Sequence, residues 1–218
     1  MAKPLHELLT PEKALIFRVT HRANVPWILR HGLHCRRSET RDPGFVSIGN
    51  PELIEKRSAR SVPIPPGGTL DDYVPFYFTP YTPMLLNITT GHAGIKQRPN
   101  EDLVILVSSL ELLEENGLPY VFTDRHAFLR AANFFAERQK LHHIDFELLR
   151  RRDFQRDPED PAKLERYQAE ALVHRHLPVT ALLGMGCHSR GVQSGIASLA
   201  SELGLTLRAE VRPSWYFR

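Results

Sequence analysis

Only two cysteines occur, Cys35 and Cys187, far apart in the chain. That is too few for a disulfide framework or a cysteine-held zinc, and it points to a reducing compartment. Long apolar runs are missing as well. No stretch approaches the roughly 20 residues that a membrane helix needs. The opening MAKPLHELLTPEKALIF lacks the apolar centre of a secretory leader, so no membrane contact and a cytoplasmic location are expected. There is no GxxxxGK[ST] loop, no GxGxxG after a strand, no HExxH, no CxxC and no GxSxG. P-loop phosphoryl transfer, Rossmann-type dinucleotide binding, zinc hydrolysis and a serine-hydrolase elbow each lose their signature. Charge of one sign is scarce too: 28 Lys and Arg against 25 Asp and Glu leave a formal +3. That balance permits a nucleic-acid partner without requiring one.

What is present suits an ordinary soluble core, with 42% hydrophobic and 24% charged residues in 218. Strands and helices mix without a regular βαβ rhythm, repeat or linker. This predicts an α+β fold in a single domain over 1–218, with 1–13 as a flexible N-terminus. Residues 14–19, ALIFRV, read as a strand. A short helix follows, with Thr20 or Asn24 as its cap, Pro26 in its first turn and Gly32 at its end. That strand, turn and helix resembles a nucleotide-handling corner. Residues 36–62 are rich in arginine, and a helix over 51–60 puts Lys56 and Arg60 on one face with Arg57 beside it. VPFYF (74–78), LVILVSSL (103–110) and PYVFT (119–123) read as buried strands. AFLRAANFFAERQKLHHI (127–144) has helical spacing at Phe128, Ala131 and Phe135, with Phe134 and Phe135 in the core. The charged stretch 150–166 reads as mobile.

Eleven histidines are scattered. His142 and His143 point apart on a helix. His174 and His176 share a face on a strand but have no carboxylate or thiol at ligand spacing, so no metal is expected. The one suggestive constellation is Gln168-x-Glu170 at the start of AEALV. In a strand over 168–173, Gln168, Glu170 and Leu172 face one side. A carboxylate at the lip of an apolar strand is costly unless partnered or functional. It fits a surface residue or a salt bridge to an arginine. It also fits stabilisation of an oxocarbenium-like cation in glycosidic cleavage, as when nicotinamide leaves NAD.

Several segments together carry a resemblance: IFRVTHRANVPWILRHGL, IEKRSARSVPIPPGG, DYVPFYFTPYTPML, LPYVFTDRHA, QAEALV and a final WYF. Over about residues 14–217 the chain resembles the DarT family of DNA ADP-ribosyltransferase toxins. The resemblance implies an ADP-ribosyltransferase-like split mixed β-sheet with surrounding helices and NAD in the cleft. It implies ADP-ribose transfer to thymine, or guanine, in single-stranded DNA, and a macrodomain antitoxin that removes the mark. The family's glutamate falls on Glu170 and its arginine on Arg57. NAD is expected at Phe17, Arg18, Val19 and Thr20, at Gly32 and Leu33, and at Arg57. DNA is expected at Arg60, Tyr81, Arg125 and His126. Family members commonly carry His where this chain has Arg18. Two competing readings stay open: a protein or RNA acceptor, and a non-catalytic nucleic-acid-binding module.

Overall fold

The computed structural model describes residues 4–217, the side chain of Ala93 excepted. In chain order the elements are β1 (Leu15–His21), α1 (Val25–His31), β2 (Leu33–His34), α2 (Pro51–Ser58), β3 (Tyr73–Tyr77), α3 (Pro83–Thr90), β4 (Leu103–Ser109), α4 (Leu110–Glu115), β5 (Tyr120–Thr123), β6 (Phe134–Phe135), α5 (Phe146–Arg151), α6 (Lys163–Arg166), β7 (Glu170–His174), β8 (His176–Leu177), β9 (Gly184–Cys187), α7 (Arg190–Glu202) and β10 (Arg208–Val211). Eight strands form one sheet in the order β10-β9-β4-β1-β3-β7-β5-β6, and β2 pairs with β8 apart from it. All pairs are antiparallel except β9 with β10. The sheet is therefore mixed, as expected.

The sheet is also divided, and the cause is local. β1 pairs with β4 along its whole length, from Leu15 opposite Ser109 to His21 opposite Leu103. With β3 it pairs only at Phe17 opposite Tyr77. Pro75 has no N–H to offer a ladder. Its carbonyl instead accepts a hydrogen bond from Arg18 Nη1 at 2.7 Å. A side chain thus replaces strand pairing, and the halves β10-β9-β4-β1 and β3-β7-β5-β6 part beyond this point. The most apolar strand, β4, is buried at every position and centres the first half.

Several sequence expectations need correction. Residues 127–144 form turns, the two-residue β6 and a 3-10 turn at Arg138–His143. A helix there would close the Asn133 N–H into its own ladder, whereas that group reaches Asp124; the Ala127 N–H, which the first turn of a helix would leave without an internal partner, reaches Glu170. Phe134 and Phe135 are only half-buried. The 150–166 stretch is held in place: Arg150 donates to the Leu9 carbonyl, Arg166 pairs with Asp160 at 2.6 Å, and Lys163 pairs with Asp153 at 2.5 Å. The first bond also reaches the N-terminal segment, where Leu9 is buried while Pro4, His6, Glu7 and Glu12 are exposed; residues 1–3 lie outside the described residues. α2 ends at Ser58, so Arg60 lies beyond it. Asn24 sits at the cap position of α1 without capping it. Gly32 does end α1, at φ +76, and a Cβ there would lie 2.4 Å from the Leu177 carbonyl oxygen. His174 and His176 diverge because Arg175 takes φ +62 between them; His174 lies against Tyr73 and His176 against His34.

Candidate active site

The site lies where the sheet divides. Tyr77 pairs with Phe17 on one side and with Glu170 on the other. Glu170, at the first position of β7, is 0% exposed. Asn50 caps α2 through the Leu53 N–H, and the last turn of this helix carries Arg57 to the carboxylate. Arg57 Nη1 donates to Oε1 at 2.9 Å and Nη2 donates to Oε2 at 2.7 Å. This fork matches a planar guanidinium to a planar carboxylate. The Ala127 N–H adds a third bond to Oε1 at 2.9 Å, and His126 Nδ1 stands 3.6 Å from the same oxygen. A carboxylate offers about four acceptor positions. Three are taken, and the fourth, on Oε2, has no hydrogen-bond partner among the described residues.

Electrostatics follow from this packing. Burial alone would raise the Glu170 pKa. The Arg57 charge, helped by His126 and the hydrogen bonds from Arg57 and Ala127, outweighs burial and holds it below the usual carboxylate range. Burial would likewise lower Arg57, but Glu170 outweighs it and the guanidinium is held more firmly protonated than usual. His126 shifts down because burial disfavours its charged form, against the pull of Glu170. Its Nδ1 accepts from the Phe128 N–H at 3.2 Å, as a neutral ring does. Arg18 is lowered to about 10, chiefly by burial, with Tyr77 and Glu170 acting the other way. Its Nε is buried without a partner. Two arginines against one carboxylate leave the cleft with a net positive charge, and one buried donor stands uncommitted.

The loop after β5 covers Glu170 and is itself braced. Asp124 accepts from the backbone and side chain of Asn133 at 3.0 and 2.9 Å, and Thr123 Oγ1 donates to the Arg125 carbonyl at 2.7 Å. Arg60 donates to the Leu129 carbonyl at 3.2 Å, which ties α2's exit to the same loop. Arg125 lies within 3.4 Å of both Asp124 and Glu165.

The structure thus brings Glu170, Arg57, Arg18 and His126 together, with Phe17 two strands from Glu170, across Tyr77 of β3. It places other expected residues differently. Tyr81 is 2% exposed, with the Arg152 guanidinium 3.4 Å above its ring and Phe217 at its edge; both covers already occupy the surface a base would stack on. Gln168 precedes the strand, its N–H bonded to the Glu165 carbonyl in the α6 turn, and does not share Glu170's face. The side chain of Leu33 is in the core and Thr20 is buried. Sequence reasoning missed Ala127, whose backbone N–H leaves no side-chain signal, and Asp124, whose bracing role depends on a partner nine residues on. Among the described residues there is no group of three or more His, Cys, Asp or Glu able to hold a metal, and no helix long and apolar enough to cross a membrane.

A mixed sheet that parts beside a buried, arginine-forked glutamate is the frame of an ADP-ribosyltransferase. Comparison with known proteins narrows this class. The family model described as "ssDNA thymidine ADP-ribosyltransferase, DarT" matches residues 17–217. A DNA ADP-ribosyl transferase of Escherichia coli O127:H6 (strain E2348/69 / EPEC) is 49% identical over 217 residues, covering 100% of both chains. The Thermus sp. 2.9 DarT solved with ADP-ribosylated ssDNA superimposes with a TM-score of 0.87 at 34% identity, over 95% of this chain and 98% of that one. The same Thermus protein solved with NAD+ gives 0.83 at 34% identity, over 95% and 99%. The chain belongs to the DarT family of DNA ADP-ribosyltransferases.

Proposed function

We propose that the chain moves ADP-ribose from NAD to thymine in single-stranded DNA, within one catalytic domain, and acts as the toxin of a toxin–antitoxin pair. The observation that carries this is the fully buried Glu170 forked by Arg57 at the division of the sheet. The net positive cleft suits a pyrophosphate dianion, and the unpartnered Arg18 Nε is a donor for it. The free position on Oε2 accepts a hydroxyl of the nicotinamide ribose. As the bond from ribose C1′ to nicotinamide breaks, its electron pair leaves with nicotinamide. Positive charge builds at C1′, and the buried carboxylate stabilises it where water cannot screen it. The thymine ring nitrogen then bonds to C1′ and its proton leaves to solvent. Arg57 stays a cation throughout and stabilises negative charge developing on the base, while neutral His126 lines the same pocket. An unpaired strand is the substrate because a duplex hides the ring nitrogen, and extruding the base costs a few kcal/mol.

Arg60 and Arg125 serve this reading through the loop they brace. The partner that reverses the mark is proposed to be a macrodomain glycohydrolase, on the resemblance stated above. The test is mass spectrometry of the protein with NAD and oligonucleotides lacking either thymine or guanine. One added ADP-ribose on thymine-containing strands is expected. An adduct only on guanine would change the base. An adduct only on RNA or protein would change the acceptor, and NAD left intact with every acceptor would sink the transferase reading.

A further inference from the structure

The eight-stranded sheet ends in β6 on one side and β10 on the other. β6 is two residues long. β10 is four residues long, and Arg208, Glu210 and Val211 are exposed on it. Its inner side is fixed by the parallel ladder to β9, which the Arg212 N–H extends to the Cys187 carbonyl at 2.7 Å. Main-chain groups along a strand point alternately to its two sides. Arg208 and Glu210, in step with Arg212, therefore turn theirs to β9, and Ala209 and Val211 turn theirs outward. Gln193 Nε2 donates to the Ala209 carbonyl at 3.2 Å, which leaves that oxygen a second lone pair. Apolar side chains stand open beside this row: Val211 is 41% exposed, and Leu183, just before β9, is 46% exposed. An edge of outward N–H and C=O groups is a template for one more strand.

The order of residues on this edge defines the strand it fits. Leu207-Arg208-Ala209-Glu210-Val211 runs apolar, basic, small, acidic, apolar, and is complementary to its own reverse. In an antiparallel pair about a two-fold axis at Ala209, Ala209 meets Ala209 of a second copy as a hydrogen-bonded pair, as its outward N–H and C=O require. Arg208 of each copy then meets Glu210 of the other at the closer, non-hydrogen-bonded positions, and Leu207 meets Val211. Glu210 already pairs with Arg212 of its own chain, and a carboxylate has acceptor positions for a second guanidinium. Other registers fit worse. An axis at Glu210 sets Glu210 against Glu210, and an axis at Val211 draws in Pro213, which has no N–H to give. We propose that β10 pairs with β10 of a second copy of this chain, so that the sheet runs unbroken through a symmetric dimer. Such a contact is the same patch on both copies and closes on itself. β9, β4, β1 and β3 separate β10 from β7 and Glu170, so the pairing leaves the cleft out.

Sedimentation velocity of the full chain, from micromolar to several hundred micromolar, is expected to show a shift from one chain to two. Arg208→Glu sets like charges opposite each other twice in the dimer, and so does Glu210→Arg. Each is expected to weaken self-association at least about 10-fold, while melting as the wild type does. Mixed in equal amounts, the two variants bring opposite charges together again at both positions and are expected to form a mixed dimer. A wild type that stays monomeric across the range overturns the proposal. A dimer that neither charge variant weakens overturns it as well, because the contact then lies on another face. Two folded, monomeric variants that stay apart when mixed overturn the register. Ala209→Pro is the second probe, for the case that a charge variant melts early. The Ala209 N–H points outward, so proline removes a bond between copies and none within the chain. A dimer that persists in Ala209→Pro overturns the strand pairing.

Discussion

Glu170 and Arg57 form a buried pair whose halves need each other. Removing one partner leaves the other charged in a low-dielectric site, which typically costs about 3–5 kcal/mol. Glu170→Gln keeps the shape and removes the charge, so it is expected to lower Tm and to cut ADP-ribose transfer by at least about 10²-fold. Thermal melts and adduct mass spectrometry check both, and a variant with wild-type transfer would remove the role assigned to the carboxylate. His126 gives a pH signature. Its folded pKa is depressed by burial, so the neutral ring contributes stability above the ordinary histidine value near 6.5. That contribution is lost as pH falls from there through the folded pKa. Melts between pH 8 and pH 5 should show a steeper loss in the wild type than in His126→Asn. Parallel slopes would mean that His126 does not carry the effect.

The sheet divides between β1 and β3, and local chemistry sets the division. Pro75 withholds a donor and Arg18 supplies one from a side chain. At the exit of α1, Gly32 permits both a positive φ and the close approach of β8. Gly32→Ala adds a strained φ and a Cβ 2.4 Å from the Leu177 carbonyl oxygen. It is expected to destabilise the chain by about 1–3 kcal/mol. If Gly32 serves packing and not cofactor contact, KM for NAD in the surviving folded protein stays within about two-fold of wild type. A normal Tm with a raised KM would return Gly32 to the cofactor site.

For the molecule taken whole, the arginine content overstates the surface available to DNA. Arg36 pairs with Glu55 and Asp71, Arg37 with Asp72, Arg57 with Glu170, Arg125 with Asp124 and Glu165, and Arg151 with Glu147. With a formal charge of only +3, contact with few phosphates is expected. Oligonucleotide affinity should then fall gently with salt, with a log–log slope of about −2, as expected for about three phosphates on a single strand. Fluorescence anisotropy between 50 and 200 mM salt measures it, and a slope near −5 would show a basic track that the paired arginines do not provide.

Much of this was readable along the chain. Apolar runs marked β1, β3, β4 and β5, because strand burial leaves a local signal. Gly32 and Pro26 marked the ends of α1 through their own backbone preferences. The motif segments marked the family, and with it Glu170 and Arg57. Folding alone decided how those residues act. The fork between Arg57 and Glu170 spans 113 positions, and no local periodicity records a contact of that range. The stretch from Ala127 to Ile144 has helical spacing, yet the Asn133 N–H that a helix would need is claimed by Asp124, so a tertiary partner overrides the pattern. Tyr81 has the chemistry of a stacking platform, but Arg152 and Phe217 cover it. Composition and spacing specify which side chains are capable of the chemistry, and the topology of the divided sheet determines which of them meet.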